Sequence, residues 1–357
     1  MKNTLLLLII AGVVFCGGAM PVQAAKVSKE ITTIRAMLKD QDREVRLLAA
    51  ETLSQLGDKD SLPEIEKLLA EPGDSARLRI SVAMQALGDT HGITEIHKIL
   101  STVPKFSENP TSLERAKAVA KGTIRAEAAR AMGVIKDTMG ISLLRQMVND
   151  EDGRVSDASV IALARLGETA GIKQFISALN STKQAVRTKA AEALGDIGDK
   201  SAAPELRKRL TDWDRDTKLA AAMALARIQD LNSMPAIREF LWDKEDIVRE
   251  KGAIALGFMG SHDAIAPLKE SLKDSNGFVR MAAAEAMGKL GDISGKQVVV
   301  EALKASDRDA KLRALSVLES LSDKKDIAVL RELMEHDPDK AVVIRAAKVI
   351  ELIQNRK

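Results

Sequence analysis

The chain has 357 residues, and its formal charge of +3 supplies no general attraction for nucleic acid or anionic lipid. Aromatic residues make up 2% and Tyr is absent, while 45% of residues are hydrophobic, a balance that suits close-packed helices far better than sheets. The one cysteine, Cys16, excludes an internal disulfide, and if its segment is cleaved away it also excludes a thiol nucleophile or a thiolate metal site.

The first element is an apolar run from Leu5 to Val14 behind Lys2, followed by Pro21 and the small-residue pattern Val22-Gln23-Ala24. This layout predicts a cleaved signal peptide over residues 1–24, a chain starting at Ala25, and a periplasmic or secreted location. The run falls short of the roughly 20 apolar residues of a membrane helix, so no stable membrane span is expected after cleavage. An uncleaved anchor is one alternative. A lipid on Cys16 is another, opposed by Phe15 where a lipobox needs a small residue.

Residues 25–357 read as a single repeat array. Lys29 to Leu38 has the pattern of a lone second helix, a cap. Then the positions Gly57, Gly88, Lys136, Gly167, Gly198, Gln229, Gly260, Gly291 and Ser322 recur every 31 residues, with 17 extra residues between Gly88 and Lys136. Apolar residues twelve, four and one places before each point make one face of a first helix, as in Val186, Leu194 and Ile197. Apolar residues eight and twelve places after it, as in Leu206 and Leu210, make one face of a second helix. The reference Gly suits a left-handed helix end. The acidic residue after it (Asp58, Asp89, Asp137, Asp199, Asp230, Asp292, Asp323) suits the cap of the second helix. The insertion, about 101–121, holds Pro104 and Asn109-Pro110 as loop signals, and Thr111 to Glu114 as a capping box. Ala341 to Gln354 reads as a lone first helix, the second cap.

The unit VRTKAAEALGDIGDKSAAPELRKRL, from Val186 to Leu210, resembles a HEAT repeat of the short, phycobilisome-lyase-like kind, and FVRMAAAEAMGKLGD, from Phe278 to Asp292, follows the same pattern. The resemblance spans nearly all of the chain after residue 24. The fold expected is all-α: an α-solenoid, or superhelix, of nine HEAT-like helix pairs with period 31, flanked by single capping helices. The resemblance is specific for fold and weak for function, because this repeat serves many binding tasks and few enzymes.

A basic column stands eleven places before each reference point: Arg46, Arg77, Arg125, Arg187, Arg249 and Arg280, with Lys218 and Lys311, broken by Ser156. One reading is a structural ladder in which each Arg pairs with acidic or carbonyl groups of adjacent units, the use the resemblance implies. The other is a ligand-binding row. Ten places after the reference points, Lys208, Glu239, Glu270, Glu301 and Glu332 continue a row begun by Lys67 and Lys98, with Arg207, Arg238 and Lys269 beside them. In HEAT-like stacks this layer usually lines the concave side, so the row is a candidate groove for a partner protein or peptide; the alternative is a solvated helix face. Trp213, Trp242 and Phe278 lie in or next to loops and are candidate anchors, or else plugs between adjacent pairs.

Catalytic inventories find no match. HEAT-like hydroxylases bind di-iron through paired His-Glu motifs, whereas His91, His97, His262 and His336 are followed by Gly, Lys, Asp and Asp. No metal-ligand spacing, phosphate loop or nucleophile elbow is present in the sequence, so neither metal nor cofactor is expected. The expected function is an exported, non-enzymatic scaffold that docks a protein or peptide of the cell envelope through its curved surface. The runner-up is a structural spacer, and an enzyme acting on a small molecule is third.

Overall fold

The structure is a computed structural model that describes residues 28–104 and 111–356. The predicted signal peptide and the Asn109-Pro110 loop signal lie outside the described residues.

Among the described residues there are twenty α-helices. They are α1 (Lys29–Met37), α2 (Arg43–Gln55), α3 (Leu62–Lys67), α4 (Asp74–Ala86), α5 (His91–Ser101), α6 (Ser112–Val134) and α7 (Ile141–Met147). Then come α8 (Gly153–Arg165), α9 (Ile172–Ala178), α10 (Gln184–Ile197), α11 (Ala203–Arg209), α12 (Arg215–Arg227), α13 (Met234–Arg238) and α14 (Asp246–Met259). The last are α15 (Ile265–Ser271), α16 (Gly277–Lys289), α17 (Lys296–Ala302), α18 (Arg308–Leu321), α19 (Ile327–His336) and α20 (Lys340–Asn355). Long first helices alternate with short second helices, most of the latter entered through a single 3-10 turn. The insertion lengthens one first helix: α6 starts on the capping box of Thr111 and Glu114 and runs 23 residues.

Two compact units are formed. One comprises residues up to 169 together with those from 330 onward, the other residues 170–329. In both, the apolar stripes of first and second helices close on each other; Leu53, Ile65, Leu194, Leu206, Leu256 and Leu268 are wholly buried. The turn between the helices of a pair is left-handed at its reference residue in eight of nine cases, with φ from +56° to +99°. Lys136 and Gln229 adopt this conformation although they carry a Cβ. Ser322 does not, and stands at φ −71° in extended backbone.

Sequence periodicity predicted which residues face inward, but not how closely the helices approach. Within the units α6 packs directly on α8, α10 on α12 and α14 on α16, and glycines set the distance in each of these contacts. A Cβ on Gly133 would fall 2.8 Å from the Ala162 Cα, on Gly195 2.8 Å from the Ala224 Cα, and on Gly257 2.7 Å from the Ala286 Cα. Gly257→Ala therefore gains about 1 kcal/mol of helix propensity but forces α14 from α16, and its expected net effect is a loss of about 1–3 kcal/mol. Gly153→Ala, where a Cβ meets nothing within 4 Å, is the control and is expected to be neutral or stabilising. Urea denaturation of both variants checks this, and a Gly257→Ala protein as stable as the parent would remove the close approach as a constraint.

The two flanking helices, read from sequence as separate caps, meet each other. α1 packs on α20, which also packs on α2. Ile34 and Leu38 of α1 are buried there as a second helix's stripe would be, and Ile344, Ile350 and Ile353 of α20 as a first helix's. Together α20 and α1 make a further helix pair, drawn from both ends of the described chain. Lys29–Glu335 at 3.0 Å, Arg331–Glu30 at 3.3 Å and Lys340–Asp40 at 2.6 Å bridge its rim.

Candidate functional site

The basic column before each reference residue does not pair with the acidic turn column; each belongs to its own ladder. Arg187 donates to Asp212 at 2.8 and 2.9 Å and to the carbonyls of Ser181 and Thr182 at 3.0 and 3.3 Å. Arg249 repeats this with Asp274 at 2.7 and 3.0 Å and with the carbonyls of Asp243 and Lys244. Arg46 does so with Glu71 and the carbonyls of Asp40 and Gln41. Arg125 holds Asp150 and the Leu100 carbonyl. Arg280 keeps only the carbonyls of Asp274 and Ser275, and Arg77 reaches only Asp74 of its own helix. Where Ser156 interrupts the column, its hydroxyl donates to the Val148 carbonyl at 2.5 Å. Each complete rung ties the loop before a first helix to the loop after the following second helix.

The acids of the rungs at Arg125, Arg187 and Arg249 belong to a loop motif that sequence reading missed. Asp150, Asp212, Asp243, Asp274 and Asp337 each accept the backbone amide two residues on. The residue at that second place often caps the next helix, as Asp152, Asp214, Asn276 and Asp339 do. The pattern acid-x-Asp/Asn before α2, α8, α12, α16 and α20 was the signal available.

The acidic turn column forms the second ladder, and it consumes residues proposed for partner binding. Arg207 donates to Asp230 at 2.7 Å, and Lys269 lies 2.9 Å from Asp292. Arg35 pairs with Asp58, Lys296 with Asp323, and His97 with Asp137 in the same way. Asp199 and Asp89 cap amides of the following turn, from Ser201 and His91 at 2.7 Å each. Lys269, with the Ser294 hydroxyl and amide, holds the Asp292 carboxyl down at about 2. Its contribution to stability is present above the ordinary carboxylate range and is lost only as pH falls towards that value. Arg238 is exposed at the end of α13.

The row Lys208, Glu239, Glu270, Glu301 and Glu332 is exposed throughout. It is not a bare stripe of charge. Lys208 pairs with Glu205 of its own helix at 2.6 Å, while Glu270 pairs with Lys273 at 3.2 Å and Glu301 with Lys304 at 2.8 Å, each of these lysines just past the helix end. The layer also differs from expectation in its packing. Small residues bring the first helices together, whereas second helices meet mainly first helices.

The three aromatic candidates are all open to solvent: Trp213 is 76% exposed, Trp242 59% and Phe278 48%. Trp213 has the Arg187 guanidinium 5.3 Å from its ring centre, and Phe278 has that of Arg313 at the same distance. Arg313 also bonds Glu250 of α14 at 2.7 Å, which fixes it over the ring. Between the loop after Trp242 and the loop before Phe278 lies an open cleft of about 490 Å³, lined by Lys244, Glu245, Asp246, Arg249, Ser275 and Asn276. Ile247 stands next to this lining and is exposed as well. Phe258, at the other end of α14, is exposed with Lys289 4.1 Å from its ring centre. Ile247 and Phe258 are eleven residues apart, roughly 16 Å along the helix. The structure thus gathers apolar side chains at the start and end of α14, a grouping that sequence reading missed because Ile247 and Phe258 occupy different columns of the repeat. The insertion's helix leaves Leu113 and Val119 exposed in the other unit.

Among the described residues no three His, Cys, Asp or Glu side chains converge as metal ligands would, and no helix is long and apolar enough to cross a membrane.

Solved structures share the helical-repeat architecture at low identity. Human deoxyhypusine hydroxylase in complex with glycerol is 19% identical over 73% of this chain and 96% of its own, with a TM-score of 0.33. The complex of CpcE and CpcF of phycocyanin lyase from Nostoc sp. PCC7120 is 18% identical over 95% and 99%, with a TM-score of 0.34. An engineered protein is 20% identical over 92% and 100%, also at 0.34. Among curated proteins no match is found. The family model for HEAT repeats matches residues 21–88, 157–226, 203–288 and 277–351, well over half of the sequence. With the 31-residue period and the paired helices, this match means that the chain belongs to the HEAT repeats.

Proposed function

We propose that the protein is a non-enzymatic binding scaffold of the cell envelope, docking a partner protein or peptide around the cleft between Trp242 and Phe278. HEAT repeats are commonly protein-binding scaffolds, and the observation that carries the reading is the rim of this cleft. Trp242, Ile247 and Phe278 are exposed and lie within two residues in sequence of a polar lining that includes Lys244, Asp246, Arg249 and Asn276. An apolar rim with fixed polar groups between is the composition of a binding hot spot, where one buried aromatic ring can be worth about 2 kcal/mol or more. Scarcity strengthens the point: a chain with 2% aromatic residues leaves several of them in water. The cell-envelope part of the reading rests on the signal-peptide pattern of residues 1–24.

The test is site-specific photo-crosslinking in the native envelope from positions 242, 278 and 270, with N-terminal sequencing of the recovered chain. The expected result is one recurrent protein captured from 242 and 278 but not from 270, lost on Trp242→Ala with Phe278→Ala, on a chain beginning at Ala25. Capture from 270 alone would move the site to the second-helix row. No capture at any position would favour the spacer reading, and an uncut N-terminus would sink export by cleavage.

A further inference from the structure

We propose that the contact between α1 and α20 is an acid-tightened latch, set by two carboxylic acids buried on the packed helices, Glu30 of α1 and Glu351 of α20. Glu30 is 2% and Glu351 6% exposed. Two acids in one dry seam are costly together, since like charges at short range and low dielectric cannot both ionise freely. Their neighbours compensate them unequally. Glu30 accepts both the Nε and Nη2 of Arg331, from α19, at 3.3 Å. Glu351 accepts the Asn355 amide at 3.5 Å and faces Ser28 at the cap of α1, and its Oε1 has no hydrogen-bond partner.

The other charges around Glu351 are these. Asp58 acts on it from the turn after α2 and is itself paired with Arg35 of α1. α2, on which α20 also packs, carries buried Glu51, bonded to Arg79. On its own helix Lys348, also buried, lies one turn before it.

Burial, then the fields of Glu30 and Asp58, push the Glu351 carboxyl above its ordinary value, against the hydrogen bonds of Ser28 and Asn355. A carboxyl raised in the folded state favours folding while it keeps its proton, so the seam weakens as pH rises through that raised value. The rim works in the opposite sense. Lys340 holds Asp40 low and Lys29 holds Glu335 low, so their contributions are lost as pH falls through those depressed values. The latch is therefore tightest between the two limits, in mildly acid solution, and loosens on the neutral side.

The test is hydrogen–deuterium exchange of the full chain from roughly pH 4 to roughly pH 8, read as protection factors so that intrinsic rates cancel. Protection of α1 is expected to fall on the neutral side, on the order of tenfold for each unit by which the Glu351 pKa is raised, while α10 in the other unit holds. Glu351→Gln is expected to abolish the fall and leave α1 protected throughout. Lys340→Gln should cost protection in mild acid and leave the neutral fall intact. If Glu351→Gln does not fold, Glu30→Gln serves instead: it removes one field, and the fall should move to lower pH. Constant protection of α1 across this range, or an undiminished fall in Glu351→Gln, would overturn the latch.

Discussion

Arg125→Ala is expected to lower the stability of the unit containing α6 by about 3–5 kcal/mol, the cost of leaving a buried charge without its partner. Arg125 is 1% exposed, and its guanidinium is shared between Asp150, at 2.5 and 3.2 Å, and the Leu100 carbonyl at 2.8 Å. Removing it strands Asp150 and a main-chain acceptor at once, and the end of α5 and the loop between α7 and α8 lose their common tie. Most of the loss comes from the stranded partner rather than from the attraction itself. Arg125→Met with Asp150→Leu should therefore recover much of it, as apolar replacements of buried ion pairs commonly do. Arg77→Ala is the contrast: a half-exposed side chain bonded only to Asp74 of its own helix is worth about 0–1 kcal/mol. Denaturant midpoints of the three proteins measure the differences. Equal, small losses for Arg125→Ala and Arg77→Ala would mean that the rungs are interchangeable surface pairs.

The second large effect is expected on stopping the chain after Asp339. α20 buries Val342, Ile344, Val349, Ile350 and Ile353, each worth roughly 1.5–3 kcal/mol against exposure. A free cap would cost little beyond its own helix. Because α20 instead covers α1 and α2, its loss uncovers Ile34 and Leu38 and leaves α1, a nine-residue helix too short to persist alone in water, held only by its edge on α2 and by surface ion pairs to α19. The expected outcome is loss of α1 helicity and of exchange protection across α1 and α2, with α10 to α16 unaffected. Circular dichroism and hydrogen exchange read both, and a truncated chain with α1 protected as before would show that the two helices are independent caps.

The helix pairs were legible because a short period leaves its mark on every unit. Apolar spacing within each 31-residue step is the direct consequence of 3.6 residues per turn and one buried face. Left-handed helix ends at Gly57, Gly198 or Gly260 follow from the absence of a Cβ. The ladders were only half legible. Columns of Arg and Asp could be counted, but their partners lie 23 and 25 residues away in other columns. Arg207 and Lys269 looked like free flank cations because nothing local answered their charge, yet Asp230 and Asp292 of the next turn do. Reading Asp212-Trp213-Asp214 and Asp274-Ser275-Asn276 as one repeated loop would have recovered the first ladder, and with it the true partners of Arg187 and Arg249.

The cleft was less legible still: Ile247 and Phe278 stand one period apart at the same place in the repeat, but Trp242 belongs to another column, and only the stacking of successive loops forms the opening beside them. By itself, the sequence determined the class of the fold, the number and order of helix pairs and the family, since these depend on local periodicity. Tertiary structure alone decided that α1 and α20 are one pair rather than two caps, that the first helices form the close-packed layer, and which charges are spent on stacking. Those outcomes depend on distances between residues far apart in the chain, and a distance across a packed seam, such as Gly257 to Ala286, leaves no periodic trace in the sequence.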